Sequence, residues 1–186
     1  MTNIWIRSAA SPDVYLRMDT SNVKSFNGSG SGTVNCQFYG PGSQPQNQSG
    51  NDEVFQLVPL SGSDGAAFAI RSNVSANAFL RIDGRTVTQF NGGGSGTVNC
   101  QYYAQGTQPQ VGNGNDEAFE LVPIPDSPVF AIRSINYPNA YLRLAGADVT
   151  SRRGNGAGIV NCQYYAEGNE PQWAAGNDEV FYVSAI

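Results

Sequence analysis

The sequence predicts an all-β domain made of three copies of one four-stranded unit. A stretch of seven residues, 33–39, recurs almost unchanged at 97–103 and 159–165, and its cysteines lie 64 and 62 residues apart. Such a fixed period is the strongest fold signal that a sequence carries. β-Branched and aromatic residues alternate with amides along this stretch, which is typical of a strand that buries one face.

Each unit contains four candidate strands, and each candidate has its own pattern. The first carries an Ile-Arg-Ser triplet, at residues 4–8, 68–72 and 129–134. The second carries Leu-Arg after an aromatic residue, at 14–19, 78–83 and 140–144. The third is the repeated stretch, and the fourth contains the Phe of a Glu-x-Phe triplet, at 54–60, 118–124 and 180–185. No segment has the apolar period of a helix.

Two kinds of loop join these strands. A Gly-rich loop precedes each third strand, at 26–32, 90–96 and 152–158. No Gly-Lys-Ser/Thr and no helix follows it, so we interpret its glycines as positive-φ residues of a wide hairpin and not as a phosphate cradle. A polar loop follows each third strand and ends in Gly-Asn-Asp-Glu, at 50–53, 114–117 and 176–179.

The three units are expected to share one core, because four short strands cannot bury their own apolar face. Three blades fall below the number that propellers use, so we expect a closed, pseudo-threefold arrangement of the strands. We predict a single domain over residues 1–186, with repeats at about 1–64, 65–127 and 128–186.

This pattern resembles the β-trefoil, which has three four-stranded units of this length. The triplets that begin at Glu53, Glu117 and Glu179 are similar to the Gln-x-Trp mark of ricin-type trefoils. Over the whole chain, the sequence resembles the β-trefoil lectins of mushrooms. That resemblance rests on Tyr-Leu-Arg-Met-Asp at 15–19, its counterparts at 79–83 and 141–144, and the triplicated Val-Asn-Cys-Gln.

Composition argues against several function classes. Charged residues make up 13% of the chain, the net charge is −5 and no Lys/Arg run exists, so we expect no nucleic-acid partner. The chain has no His, which removes the usual partner of a catalytic Ser or Cys and disfavours zinc. Asp52 and Glu53 are adjacent and are expected to point in different directions, which disfavours glycoside hydrolysis. We expect no metal, no cofactor and no enzymatic activity.

Cysteine usage and the first residues bear on localisation. Cys36, Cys100 and Cys162 occupy equivalent positions and are expected to be free, buried thiols, as in a reducing compartment. The first residues show neither the basic nor the apolar region of a signal peptide, and no membrane span is evident. We therefore expect a cytoplasmic protein that does not insert into membranes.

Sugar binding needs amide and carboxylate groups for hydroxyl pairs, and an aromatic ring for the C–H face of a pyranose. In the third strand, Asn35, Gln37 and Tyr39 share the face opposite the expected core. The resemblance implies that an Asp at the end of the second strand and an Asn near the fourth strand also contribute. Carried over by position, the candidate carbohydrate-binding residues are Asp19, Asn35, Gln37, Tyr39, Asn51, Asp83, Asn99, Gln101, Tyr103, Asn115, Asn161, Gln163, Tyr165 and Asn177.

Structural roles compete with these assignments. The amides of the third strand can be solvated, its tyrosine can be a half-buried packing residue, and Asn51 with Asp52 suits a turn. Asp19 can pair with Arg17 or Arg7. The arginines that recur at positions 17, 81 and 143 suit either a salt bridge or a ligand contact.

The third repeat departs from the other two. Ala145 stands where the second repeat has Asp83, and Arg152-Arg153 stands where it has Phe90-Asn91. Trp173 has no aromatic counterpart in the other repeats. We predict that the third pocket is altered in affinity or lost.

The resemblance implies a multivalent lectin for galactose or N-acetylgalactosamine termini, of the kind found in fungal haemagglutinins. Its partners would be glycans on glycoproteins or glycolipids, and its state a monomer or homodimer. A β-trefoil protease inhibitor that acts through one exposed loop is the alternative. An inhibitor has no reason to triplicate a polar surface, which favours the lectin.

Overall fold

The computed structural model describes residues 2–62, 66–112 and 114–186. The strands in these ranges are β1 (Asn3–Ser8), β2 (Val14–Asp19), β3 (Thr33–Phe38), β4 (Phe55–Pro59), β5 (Phe68–Ser72), β6 (Ala78–Asp83), β7 (Thr97–Tyr102), β8 (Phe119–Pro123), β9 (Phe130–Ser134), β10 (Ala140–Ala145), β11 (Ile159–Tyr164) and β12 (Phe181–Ala185). The predicted strands are confirmed, with shifts of at most one residue at their ends. The predicted boundary between the first two repeats, at residues 64 and 65, lies outside the described residues. The described part of the chain holds no helix that could span a membrane.

Six strands close into a ring, to which each repeat contributes its first and fourth strand. β1 pairs with β12 and β4, β4 pairs with β5, β5 with β8, β8 with β9, and β9 with β12, all antiparallel. No repeat can close this ring alone, because every repeat supplies only two of its strands. The three repeats therefore share one barrel.

The remaining strands form three hairpins, β2–β3, β6–β7 and β10–β11, each with six paired residues. Each hairpin joins the ring through one residue pair, such as Arg7 with Tyr15. A six-stranded ring with three such hairpins is the β-trefoil, so the predicted fold class is confirmed.

The core draws equivalent residues from all three repeats. Phe55, Phe119 and Phe181, the aromatic residues of the three Glu-x-Phe triplets, are fully buried in it. The three cysteines are free and buried, as predicted. Burial raises the pKa of the Cys36 thiol to about 12, so this thiol stays protonated at neutral pH.

Each Gly-rich loop leaves its own repeat and lies on the third strand of the next one. Residues 26–32 reach β7, where Ser31 pairs with Cys100, and residues 152–158 reach β3, where Ala157 pairs with Cys36. Residues 90–96 reach β11, where the Ser95 N–H donates to the Cys162 carbonyl at 3.0 Å. The hairpins are thus linked in a cycle. The loop of the first repeat packs on the hairpin of the second, the loop of the second on that of the third, and the loop of the third on that of the first.

Glycine is required where these loops meet the next hairpin. Gly156 has φ +72°, and a Cβ there would lie 2.3 Å from Oδ1 of Asn35 and 2.7 Å from the Cys36 carbonyl oxygen. Both the left-handed backbone and the close approach exclude a side chain. The predicted positive φ is confirmed for most glycines of the three loops, but Gly93, Gly96 and Gly154 do not have it.

Candidate functional site

The base of each candidate site is an arginine on the second strand of its repeat, which is buried in the first two repeats and half-buried in the third. Nη2 of Arg17 lies 3.2 Å from Oδ2 of Asp19 and 2.6 Å from Oδ2 of Asp52, and its Nε lies 3.7 Å from Oε1 of Glu53. Its Nη1 donates to the Asn155 carbonyl at 3.0 Å, so the arginine also holds the incoming Gly-rich loop. Arg17 therefore forms structural ion pairs with these carboxylates.

The same cluster recurs in the other two repeats. Arg81 pairs with Asp83, Asp116 and Glu117, and its Nη1 donates to the Ser29 carbonyl at 3.0 Å. In the third repeat, Arg143 pairs with Asp178 and Glu179, and Ala145 supplies no carboxylate. Because Ala145 stands in place of an aspartate, Arg143 has one ion-pair partner fewer than Arg17 or Arg81.

The adjacent carboxylates of Asp52 and Glu53 converge on one guanidinium, so the expectation that they point in different directions is wrong. The arginine between them offsets their mutual repulsion. Their equivalents in the second repeat, Asp116 and Glu117, converge on Arg81 in the same way. No group of three or more His, Cys, Asp or Glu side chains suited to a metal ion occurs in the ranges that the structure covers.

Burial and hydrogen bonding push the pKa values of these acids in opposite directions. Burial raises the pKa of Glu117 to about 7 and also raises that of Glu53 and of Glu179. Hydrogen bonds, first from Arg85, lower the pKa of Asp83 to about 2. Hydrogen bonds from Ser21 lower that of Asp19.

The amides predicted to bind sugar hold the Gly-rich loop instead of lying free. Nδ2 of Asn35 donates to the Asn155 carbonyl at 2.8 Å, and the Gln37 side chain exchanges hydrogen bonds with the backbone of Arg153. Oδ1 of Asn35 is buried without a partner, against the glycine of the loop. Asn99 and Asn161 hold the loop as Asn35 does. Gln101 accepts from the Asn27 N–H and donates to Oδ1 of the Asn27 side chain, and Gln163 does the same with Asn91.

The tyrosine after each third strand lies beside the arginine cluster. The Tyr39 hydroxyl donates to Oε2 of Glu53 at 3.0 Å, Tyr103 to Glu117 at 3.0 Å and Tyr165 to Glu179 at 3.2 Å. Tyr39 is buried, whereas the other two tyrosines are half-buried. Tyr39 therefore offers less of its ring to a ligand than its counterparts do.

The predicted asparagine near each fourth strand shapes the polar loop. Oδ1 of Asn51 accepts from the Glu53 N–H at 3.0 Å, and its Nδ2 donates to the Gln46 carbonyl at 3.0 Å. Asn177 makes the same two contacts with Glu179 and Gln172, and Asn115 accepts from Glu117. The turn role of this asparagine is real, and Asn51 and Asn115 also line the clefts described next.

A cleft opens in the second repeat between its polar loop and the Gly-rich loop of the first repeat. It has a volume of about 390 Å³, and its walls include Phe26, Gln101, Tyr103, Val111 and Asn115. Phe26 is 62% exposed and stands edge-on to Tyr103, with ring centroids 5.7 Å apart. We call this the second cleft, after the repeat that supplies its tyrosine.

The first repeat has an equivalent cleft with a different wall. Two cavities of about 630 and 230 Å³ share Gln48, Asn51 and Arg152, and together form the first cleft. Arg152 takes the place of Phe26, and its guanidinium carbon lies 4.6 Å from the centroid of the Tyr39 ring. Because of the cyclic linkage, a residue of the third repeat therefore shapes the cleft of the first.

The third repeat repeats the aromatic arrangement of the second. Phe90 is 59% exposed and stands edge-on to Tyr165 at 5.4 Å between centroids. Trp173 turns away and stacks edge-on with Tyr182 at 6.4 Å. By its equivalence to the second cleft, we call the position of Phe90 and Tyr165 the third cleft. Arg152 lines the first cleft and the Arg153 backbone binds Gln37 of the first repeat, so these two residues act on the first repeat and not on the third pocket. That the third pocket is altered in affinity or lost stays a prediction, which rests on Ala145 and Trp173.

The structure thus brings only some of the predicted residues to the clefts. Gln37, Tyr39 and Asn51 line the first, and Gln101, Tyr103 and Asn115 line the second. Asp19, Asn35, Asp83 and Asn99 line neither. In the third repeat, Gln163, Tyr165 and Asn177 occupy the equivalent places, while Asn161 holds the loop.

Sequence reasoning missed Phe26, Phe90 and Arg152 as wall residues. The available signal was an aromatic residue at the start of a Gly-rich loop, where no strand alternation accounts for it. The sequence could not indicate that this loop packs on the hairpin of the next repeat and lines the cleft there. Only the cyclic packing of the hairpins carries that information.

No protein-family model matches this sequence, and no curated protein is significantly similar to it. Among solved structures, the chain is similar to a mosquitocidal holotoxin, with a TM-score of 0.59 and 8% identity over 100% of this chain and 17% of that one. It is similar to a Polyporus squamosus lectin bound to the human-type influenza-binding epitope Neu5Acα2-6Galβ1-4GlcNAc, with a TM-score of 0.55 and 14% identity over 99% of this chain and 49% of that one. It is also similar to SeviL bound to an asialo-GM1 saccharide, with a TM-score of 0.52 and 10% identity over 99% of this chain and 97% of that one.

These likenesses establish the β-trefoil fold. The chain spans about a sixth of the holotoxin, at 17%, and about half of the Polyporus lectin, at 49%. The neighbours also include a cytolethal distending toxin and an interleukin-1β, so the fold hosts several functions. Function must therefore be argued from the clefts.

Proposed function

We propose that this protein is a carbohydrate-binding protein, a lectin, that takes the terminal sugars of glycans on glycoproteins or glycolipids into its hairpin clefts. The observation that carries the proposal is the second cleft, where an exposed aromatic ring lines the same space as amide and carboxylate groups. Phe26 offers a face for the C–H side of a pyranose, while Gln110 and Asn115 line the same space. The third repeat presents Phe90 in the same way.

The solved neighbours that were bound to saccharides support this choice. The Polyporus lectin was bound to an epitope that contains galactose, and SeviL to an asialo-GM1 saccharide. We propose terminal galactose or N-acetylgalactosamine as the sugars of the second and third clefts. Single-site affinity should be weak, about −4 to −6.5 kcal/mol, because the clefts are open and small. Multivalent attachment would then supply the working affinity.

A glycan array followed by calorimetry tests the proposal. The unmodified protein should bind galactose-terminated glycans, and Phe26→Ala should weaken binding of methyl β-galactoside at the second cleft by about tenfold. Ile159→Ala is the matched control, since Ile159 is equally exposed, at 61%, and lines neither the first nor the second cleft. Absence of binding to every glycan, together with tight inhibition in a protease panel, would favour the inhibitor alternative.

A further inference from the structure

The first cleft differs from the other two in the charge of one wall. Arg152 stands where the second cleft has Phe26 and the third has Phe90, so the aromatic face is replaced by a guanidinium. The first and second clefts otherwise share an arginine with two carboxylates and an amide, namely Arg17, Asp52, Glu53 and Gln37 in the first. Arg152 therefore adds a positive charge to the wall of a cleft whose remaining frame recurs in the second repeat.

Arg152 is exposed and forms no ion pair within the part of the chain that the structure describes. The nearby carboxylates of Asp52 and Glu53 are already engaged by Arg17 at 2.6 and 3.7 Å. In the larger of the two cavities that form the first cleft, Arg152 is the only charged residue of the wall. Its charge is thus free to be neutralised by a ligand.

The position of Arg152 is set by its neighbours, which prepares it for binding. Its guanidinium lies over the Tyr39 ring at 4.6 Å, a cation–π contact that occupies the planar face and leaves the N–H edge free. The following residue, Arg153, is anchored through its backbone, whose N–H donates to Oε1 of Gln37 at 3.0 Å. A guanidinium edge held in this way matches the two oxygens of a carboxylate or sulfate.

We propose that the first cleft binds an anionic sugar, one that carries a carboxylate or a sulfate group, through Arg152. This rests on the proposed function and adds to it: the second and third clefts take neutral sugars against Phe26 and Phe90, and the first takes an acidic one. Gln44, Gln46 and Gln48 line the first cleft and supply donors and acceptors for the hydroxyl groups of the ring. The protein thereby binds two kinds of sugar, neutral and acidic, in different clefts.

Three galactosides that differ only at C6 test this inference: the uncharged methyl β-galactoside, its C6 carboxylate and its C6 sulfate. The two charged sugars distinguish a uronic-acid ligand from a sulfated one. Each is titrated into ¹⁵N-labelled protein. We expect a charged sugar to shift the amide signals of Gly42 and Gln48, and the neutral sugar those of Gly112 and Gly114. Added salt should weaken only the charged sugar.

Arg152→Gln should reduce binding of the charged sugar by at least about tenfold and leave the neutral sugar unchanged. Arg153→Gln is the matched control, because it removes the same charge one residue away and its side chain lines neither cavity of the first cleft. The reciprocal pair Arg152→Phe and Phe26→Arg should move the preference for the charged sugar from the first cleft to the second.

Several outcomes would overturn the inference. Equal losses in Arg152→Gln and Arg153→Gln would mean that only overall charge matters. Neutral-sugar binding at the second cleft, with no binding of either charged sugar, would overturn this inference and leave the proposed function standing. Failure of all three sugars, and of the glycan array, would overturn the proposed function itself.

Discussion

Three buried glutamates link the geometry of the clefts to the stability of the protein. Glu53, Glu117 and Glu179 each accept a hydrogen bond from a tyrosine hydroxyl and lie 3.5–3.8 Å from an arginine Nε. Burial nevertheless raises the pKa of each, because the neighbouring charges do not fully replace the lost water. These residues hold the cleft tyrosines and make the fold sensitive to pH.

Glu117 gives the clearest prediction at this scale. Its pKa is about 7 in the folded protein and near the ordinary value of 4.5 when unfolded, so the folded state binds its proton more tightly. Its contribution to stability is therefore fully present below pH 4.5, falls as the pH rises, and is lost above pH 7. In Glu117→Gln, the decline of the unfolding free energy between pH 4.5 and 7.5 should be smaller, by an amount on the order of 1 to 3 kcal/mol.

Urea unfolding at the two pH values measures this change. Glu167→Gln is the control, because Glu167 is exposed and its replacement removes the same formal charge. The control should keep the pH dependence of the parent protein. A Glu117→Gln protein whose unfolding free energy declines as steeply as the parent's would show that Glu117 ionises normally.

Residue types alone could predict which side chains cluster, but not what they contact. The amide, tyrosine and Asn-Asp-Glu patterns correctly marked the region of the clefts. Asn35 and Gln37 suit a sugar and a loop carbonyl equally well, because an amide donates and accepts in both cases. The structure shows that they hold the loop, and this role accounts for the faithful repetition of the motif.

At the scale of elements, the Gly-rich loop and the third strand of the next hairpin form one unit. The loop contributes an isolated β-bridge and glycines with positive φ, and the strand contributes an asparagine and a cysteine that pack against those glycines. The strands were predictable because alternation is a local signal. The loop-to-strand contact joins residues more than 60 positions apart and has no local signal, as with Ala157 on Cys36.

Gly156→Ala tests the loop contact. The new Cβ would lie 2.3 Å from Oδ1 of Asn35, at a φ of +72°, so we expect the unfolding free energy to fall by about 2 to 3 kcal/mol. Gly154→Ala, two residues earlier, is the matched control, because a Cβ there meets nothing within 4 Å and its φ is not positive. Chemical denaturation compares the two variants.

A double variant separates the clash from the backbone strain. Asn35→Ala removes the nearest atom, so Gly156→Ala should cost less in that background than in the parent protein. Strain at positive φ and the Cys36 carbonyl at 2.7 Å remain, so the rescue should be partial. Equal costs in the two backgrounds would show that Asn35 does not pack against the loop.

At the scale of the whole molecule, the cyclic linkage decides which changes affect which cleft. The sequence correctly predicts three repeats, a shared barrel and a departure in the third repeat. Ala145 changes the third repeat itself, but Arg152 belongs to the third repeat by sequence and to the first cleft by packing. Two clefts retain an exposed phenylalanine, Phe26 in the second and Phe90 in the third.

The valence for neutral sugars follows from this arrangement. With aromatic walls in only two clefts, a monomer should bind two neutral sugars and cross-link galactose-bearing vesicles. Phe26→Ala or Phe90→Ala should each weaken one of the two neutral-sugar sites by about tenfold and reduce vesicle agglutination by about tenfold or more, because bridging two surfaces needs both sites. Arg152→Gln should leave agglutination of these vesicles unchanged.

Calorimetry measures sugar binding, agglutination measures bridging, and light scattering on the same samples gives the oligomeric state. The oligomeric state matters because a homodimer of a single variant would stay bivalent, and the double variant Phe26→Ala with Phe90→Ala would then be needed. Full agglutination by a monomeric single variant would mean that a third neutral-sugar site exists, and the division between the clefts would be wrong.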